Sequence, residues 1–375
     1  MKYFDEPVYS YKTINFRVEQ LVSYIAPSAP ATRRPAVGDE PDVRLEIGFT
    51  PRWYRNKLGI DFGEKWHNNP EYRKQTVLAM RQELKKRFHN RDVGIQSEKP
   101  DLLTGLYGAC TIAAIYEIPI IYSQNNWPTC ASKYLSDSEV DSLNPPDLMD
   151  NYFFQKLLEQ VKWIHEDQGE IIGFINWQGV LNNACRLRGE QIFVDMFINP
   201  ERVMHLLDCV STTMIEGVKT LYMHQKGENS EYKFVTISNC LVNMISPEQY
   251  RDFIMPFDLK ISKVFGTVGI HNCAWNANPY MEYYSKFSNL GYIDMGIDSD
   301  LKKAKEFFSN ARRALMYTPM DLYSKSTNEI EDDIKYIVNS FSPCDIIIAD
   351  IDEDIPDSKV CHVIDYVEKI NFRVK

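Results

Sequence analysis

The chain has 375 residues, a formal net charge of −10 and 25% charged residues. That length suits one large domain or two ordinary ones, and the acidic balance excludes a general affinity for nucleic acid or anionic lipid. The start, Met1 to Glu6, lacks the apolar run of a signal peptide, and no apolar stretch is long enough to span a bilayer. Eight scattered cysteines without a CxxC pair fit reduced thiols, so a cytoplasmic protein is expected.

Residues 1–42, Pro-rich around Ala26 to Pro41, read as an extension with local helix near Phe16 to Ile25. Val43 to Ile47 alternates apolar and charged residues and reads as a strand. The aromatic and Gly-rich run from Arg52 to Pro70 reads as an ordered loop. Asn69 and Pro70 then open a helix as N-cap and first helical residue. Leu102 to Tyr116 has helical character, and Ile118 to Tyr122 is a short strand. Pro128 to Leu148 is the longest loop-like stretch, placed to cover one end of the domain.

Tyr152 to His165 has helical spacing, and Ile171 to Ile175 reads as a buried strand ending at Asn176 and Trp177. Asn199-Pro200 starts another helix. Phe234 to Ile237 is a strand ending at Asn239 and Cys240, followed by a capping box at Ser246 and Gln249. Val268 to Ile270 is a strand running into His271 and Cys273. Tyr292 to Asp294 and Ala314 to Tyr317 are strands, and Asp298 or Ser299 caps the helix between them, Leu301 to Phe308. A second capping box at Ser326 and Glu329 opens a helix to about Val338. Asp345 to Ala349 is the last strand, and Asp357 caps the final helix.

Short apolar strands alternating with amphipathic helices imply a parallel sheet covered by helices. About eight strands favour an α/β fold of the (β/α)8 TIM-barrel class over an open sheet. The expectation is one barrel domain over residues 1–375, with 1–100 an elaborated N-terminal segment. The missing GxGxxG and GxxxxGK[ST] loops weaken a nucleotide-binding alternative.

In such barrels chemistry sits at the C-terminal ends of strands. His271 and Cys273, two apart at the end of an extended strand, point to the same side, and an imidazole with a thiolate suits zinc. The bland alternative is a buried cysteine beside an unrelated polar histidine. A third ligand must come from another strand end. Asp350 follows its strand and is the first candidate, Cys240 the alternative, and Cys344 lies at the wrong end of its strand. Asn176, Trp177, Asn239, Asp294 and Tyr317 are candidate substrate-binding residues.

Several stretches carry a resemblance: INWQGVLNNACRLRG from Ile175, MFINPERV, NMISPEQYRDFIMPF, GIHNCAWNANP, YIDMGIDSDLKKAK and DIIIADIDEDIPDSKV. Their order resembles the uroporphyrinogen decarboxylase superfamily over roughly the last two thirds of the chain. The decarboxylase branch carries an N-terminal RQAGRY motif, and the nearest string here is MRQELKKR on a predicted helix. The other branch, zinc methyltransferases working with corrinoid proteins, has a His-x-Cys motif and a distant Cys, and His271-Asn272-Cys273 is similar to its first part. Asp350 stands where the distant Cys is expected, six residues before Pro356.

The resemblance implies a zinc enzyme that moves a methyl group between a small molecule and the cobalamin cobalt of a corrinoid partner. A carboxylate ligand would leave zinc a harder Lewis acid, suited to an O- or N-methyl donor. The alternatives are a decarboxylase of a carboxylated ring, with Arg52 and Arg55 as its basic groups, and a non-catalytic corrinoid-binding subunit.

Overall fold

The computed structural model describes residues 21–24, 35–38, 40–89, 91, 93, 99–226 and 233–373. Seven strands form one parallel sheet: β1 (Leu21–Tyr24), β2 (Val43–Phe49), β5 (Phe234–Ser238), β6 (Thr267–His271), β7 (Leu290–Met295), β8 (Arg312–Met316) and β9 (Cys344–Ile351). They lie in the order β1-β2-β9-β8-β7-β6-β5, and every neighbouring pair is parallel. β3 (Ile120–Ile121) and β4 (Thr129–Cys130) form a separate antiparallel pair. The fold is α/β, of the (β/α)8-barrel class, with an N-terminal extension.

Period-two alternation gives each strand two faces. Val43, Leu45 and Ile47 of β2, Val268 and Ile270 of β6, and Ile346 and Ile348 of β9 belong to the large core shared with the helices. The opposite face of the sheet has its own small cluster: Tyr292, Ala314 and Ile347, packed by Phe234, Met316 and Ala349. That second face is the barrel interior.

The interior is layered. At the N-terminal end, Asp345 accepts from Arg312 Nε at 2.6 Å and from Arg44 Nη2 at 2.8 Å, and Arg44 also pairs with Glu46. These buried charges are mutually compensated, as burial demands. The apolar cluster forms the middle. Ser238, His271 and Asp294, continuing the inward rows of Phe234, Gly269 and Tyr292, form the C-terminal end.

The helices follow local signals. Asn69 caps Pro70–Arg87 by accepting from Tyr72 N, and Pro70 sits where a missing N–H is harmless. Ser246 with Gln249 and Ser326 with Glu329 form reciprocal capping boxes. Ile330, Ile334, Ile337 and Phe341 of Thr327–Phe341 recur every three to four residues and are buried.

Some expectations need correction. Arg52 to Pro70 is not a loop: Pro51–Leu58 and Glu64–Asn68 are helices, the first capped by the Thr50 side chain and ended by Gly59 at φ 69°. Leu102 to Tyr116 is helical only at Thr111–Ile115. Asp300, not Asp298 or Ser299, caps Leu301–Phe307. Pro128 to Leu148 contains β4 and the helix Asp137–Asp141. In the expected helix from Phe16 to Ile25, Leu21–Tyr24 is a strand, and the rest lies outside the described residues, as does most of Ala26 to Pro41.

Ile171 to Ile175 forms no ladder strand. Gly173, at φ 96°, lies so close to Asp101 that a Cβ would sit 1.9 Å from its carboxylate oxygen. Phe174 N donates to the Thr104 hydroxyl, at 3.4 Å, rather than to a neighbouring strand. The segment nevertheless lies beside β5, since Phe174, Ile175 and Trp177 share a small cavity with Phe234, Val235 and Thr236.

Candidate metal centre

Two adjacent strands end side by side. β5 and β6 pair Ile237 with Ile270 and Ser238 with His271, and Asn239 N donates to His271 O at 2.7 Å. Each strand is followed by a cysteine at the C-terminal mouth. Cys273 Sγ lies 2.6 Å from Cys240 Sγ and 3.2 Å from His271 Nε2. One donor atom from each of Cys240, His271 and Cys273 lies within 4.8 Å of the others, the sole such group of three among the described residues.

His271 and Cys273 share a side, though not by strand alternation. The strand stops at His271, and Cys273 takes the left-handed conformation at φ 57°. For a non-glycine residue that costs about 1 kcal/mol. Gln178 (φ 60°), after the Ile171 to Ile175 segment, and Asp350 (φ 58°), near the end of β9, adopt the same conformation. Such strain persists where surrounding structure fixes it, and it clusters at functional sites.

Asp294 organises the imidazole. Fully buried at 0% exposure, it accepts from His271 Nδ1 at 2.6 Å, from Tyr292 Oη at 2.8 Å and from Asn272 N at 2.7 Å. A carboxylate can only accept, so Nδ1 carries the proton and Nε2 faces the sulfurs. This is the carboxylate–histidine arrangement that orients metal-binding imidazoles.

Electrostatics follow from the crowding. The Cys273 thiol donates to Cys240 and holds it well below the ordinary thiol range against the effect of burial, and His271 adds to the lowering. The same bond, together with burial, pushes the Cys273 thiol up. Burial opposes charge on His271, yet Asp294 and the Cys240 sulfur raise it to about 10. Ser238 Oγ, 3.1 Å from Cys240 Sγ, supplies another polar contact.

The other candidates are placed differently. Asp350 is exposed and stands outside the group of three, near enough to Cys273 for its charge to help raise that thiol. Cys344 begins β9 and is buried at the far end of the barrel, as its position before the strand implies. Asn239 is buried and donates to Asp258 Oδ2 at 3.0 Å. Asn176 accepts from Gln178 N and Nε2, Gln178 accepts from Asn182, and Asn182 accepts from Leu241 N beside Cys240. Trp177 points into the helix layer, where a Cβ on Gly217 would meet its ring at 2.6 Å. Tyr317 donates to Asp333 at 2.7 Å. Arg52 is bound to Asp352 at 2.9 Å and Arg55 to Gln124 at 3.0 Å.

Sequence reasoning missed Asn272, Asp258, Tyr250 and Tyr284, which surround the site from behind. One signal was present: Ile-x-Asn-Cys occurs at 237–240 and again at 270–273.

The model of the family uroporphyrinogen decarboxylase (URO-D) matches residues 95–368, and the chain belongs to that family. Among solved structures, a methyltransferase from Methanosarcina mazei superposes with a TM-score of 0.62 at 15% identity, covering 88% of this chain and 94% of that one. A B12-independent methionine synthase from Shewanella sp. W3-18-1, in complex with selenomethionine, gives a TM-score of 0.36 at 8% identity, with 58% and 66% covered. No curated protein matches the chain. No helix among the described residues is long and apolar enough to cross a membrane.

Proposed function

We propose that this chain is a zinc-dependent methyltransferase that moves a methyl group between a small molecule and the cobalt of a corrinoid partner protein. The observation that carries the reading is the clustering of Cys240, His271 and Cys273 at the C-terminal mouth of the barrel. Two sulfurs and an imidazole nitrogen form a donor set that suits zinc and leaves a position open for a substrate atom. Membership of the family and the fold likeness to a methyltransferase support the same conclusion.

In this reading Cys240, His271 and Cys273 hold the metal, and Asp350 stands beside it at the mouth. Bound there, zinc would supply a Lewis acid for the substrate's reacting heteroatom. Asp294 holds a proton on His271 Nδ1, so that Nε2 is the nitrogen that would give up its proton and turn a lone pair to the metal. The mouth, where both cysteines open, is the face against which the corrinoid partner docks. A carboxylate-ligated, harder centre loses its basis once Cys240 supplies the third donor. The softer set favours a thiol over a methyl ether or amine as the small-molecule partner.

The decarboxylase alternative requires basic groups free to receive carboxylates, whereas Arg52 and Arg55 are engaged with Asp352 and Gln124. The test is spectroscopic. Methyl-Co(III) corrinoid protein mixed with the enzyme and a thiol should convert to Co(I), with the conversion lost in Cys240→Ala and His271→Ala. The reverse is followed from Co(I) with methyl thioethers, ethers and amines. Silence in both directions, with CO₂ release from a carboxylated ring compound, would replace the methyltransferase by a decarboxylase. Corrinoid-protein binding without turnover would leave a non-catalytic binding subunit.

A further inference from the structure

The two strand ends repeat one pattern in register: Ile237-Ser238-Asn239-Cys240 beside Ile270-His271-Asn272-Cys273. In each, the second residue faces the barrel interior and the cysteine returns to the mouth. The asparagine between them is buried, Asn239 at 1% exposure and Asn272 at 0%. A buried amide is costly unless bonded, and although Asn239 Oδ1 has no partner among the described residues, the bonds these two side chains do make are informative.

Asn239 Nδ2 donates to Asp258 Oδ2 at 3.0 Å, and Tyr250 Oη donates to the same oxygen at 3.0 Å. Asn272 Nδ2 donates to Asp294 O at 2.8 Å, and its Oδ1 accepts from Tyr284 Oη at 2.9 Å. The rings of Tyr250 and Tyr284 meet edge to face at 5.3 Å. The two anchors therefore form one packed unit beneath both cysteines. The π-helical turn Tyr250–Ile254, leading into the helix Met255–Phe265, carries Tyr250 to Asp258. Such turns are uncommon and recur near functional sites.

We propose that Asn239 and Asn272 are paired positioning residues, locked by Asp258, Tyr250 and Tyr284, and that they hold Cys240 and Cys273 at ligating separation before any ligand arrives. This rests on reading Cys240, His271 and Cys273 as a ligand group. Packing through Tyr250 and Tyr284 makes the two anchors interdependent, so loosening one moves both sulfurs.

The test compares Asn239→Ala, Asn272→Ala and Tyr284→Phe with Tyr116→Phe, which removes a buried hydroxyl contact to Thr213 elsewhere in the fold. Two readouts are taken on the full chain. One is titration with Co²⁺, followed through its sulfur-to-metal and ligand-field bands. The other uses metal-free protein in glutathione buffers, where the two thiols and one oxidised glutathione give the Cys240–Cys273 disulfide and two reduced glutathiones. That equilibrium measures how closely the fold presents the sulfurs to each other, and peptide mapping identifies the pair.

The expected result is a loss of about 10-fold in both constants for the asparagine and Tyr284 variants, the size of effect seen for partners behind a ligand. Tyr116→Phe should change neither. If the asparagine variants do not fold, Tyr284→Phe decides. A glutathione equilibrium unchanged in Tyr284→Phe overturns the proposal, even if all variants bind Co²⁺. Wild-type protein that ignores Co²⁺ but shows the shifted thiol equilibrium would end the metal reading and leave the positioning role standing.

Discussion

His271 Nδ1 donates to Asp294 Oδ2 across 2.6 Å, and this bond turns the opposite ring nitrogen toward Cys273 Sγ, 3.2 Å away. Neighbouring strands β6 and β7 supply the two partners, so the imidazole is oriented by the sheet itself. Asp294→Asn keeps the shape and removes the charge, leaving an amide that can face Nδ1 with either a donor or an acceptor. The expected outcome is a folded protein with zinc affinity lowered about 10- to 100-fold. Competition with a chromophoric chelator measures it, and wild-type affinity in the variant would show that Asp294 does not orient a ligand.

The third donor is decided by three substitutions. Cys240→Ala should abolish zinc retention after dialysis, because it removes one of the three convergent donors. Asp350→Ala should leave the metal in place, and Cys344→Ala, at the opposite end of its strand, should do the same. Metal analysis of the three proteins gives the answer. Loss of zinc from Asp350→Ala with retention in Cys240→Ala would restore the carboxylate ligand and the harder centre.

Asp258 ties the fold's stability to pH. Burial raises its carboxyl from the ordinary 3.8 to about 7, although Asn239 and Tyr250 lower it in part. The folded chain thus keeps a proton that the unfolded chain has already lost. Between the two values the unfolded state binds fewer protons, and stability falls as pH rises. The full effect amounts to about 4 kcal/mol. Asp258→Asn, neutral throughout, should lose this dependence. Its denaturant midpoint relative to wild type should be higher at pH 8 than at pH 5, and a pH-independent difference would count against a buried titrating carboxyl.

How far the sequence spoke depended on where the determinants lay. Capping boxes at Ser246 and Ser326 and the short apolar strands are legible, because those signals are local. The pair His271 and Cys273 was legible from its position after an apolar run. Cys240 ranks second to Asp350 in the sequence because strand ends alone do not show the order of the strands in the sheet. Only the adjacency of β5 and β6, with Ser238 opposite His271, brings Cys240 to Cys273. Asp294 reads from the sequence as a candidate substrate contact, because a strand-end acid reads alike whether it faces the mouth or a neighbouring imidazole, and its bond to His271 is visible only in the structure. The segment Ile171 to Ile175 has the composition of a strand, but its backbone is drawn to Asp101 and Thr104, contacts from another part of the chain.

Two glycines set how closely the loops behind the cysteines approach. A Cβ on Gly179 would stand 2.0 Å from Ser238 O, and one on Gly296 would stand 2.0 Å from Ala274 O. Both obstacles are backbone, so neither can be relieved by turning a side chain. Gly179→Ala must push away the end of β5 that leads to Cys240, and Gly296→Ala the turn that follows Cys273. Forcing atoms into packed space of this kind costs about 1–3 kcal/mol. Gly59, at φ 69° with nothing within 4 Å of where a Cβ would stand, is the matched control, since Gly59→Ala adds backbone strain without collision. The expected outcome is that all three variants lose stability in urea, but that only Gly179→Ala and Gly296→Ala also lose zinc affinity. Equal zinc affinity across the three would mean that the sulfur positions tolerate movement of the loops behind them.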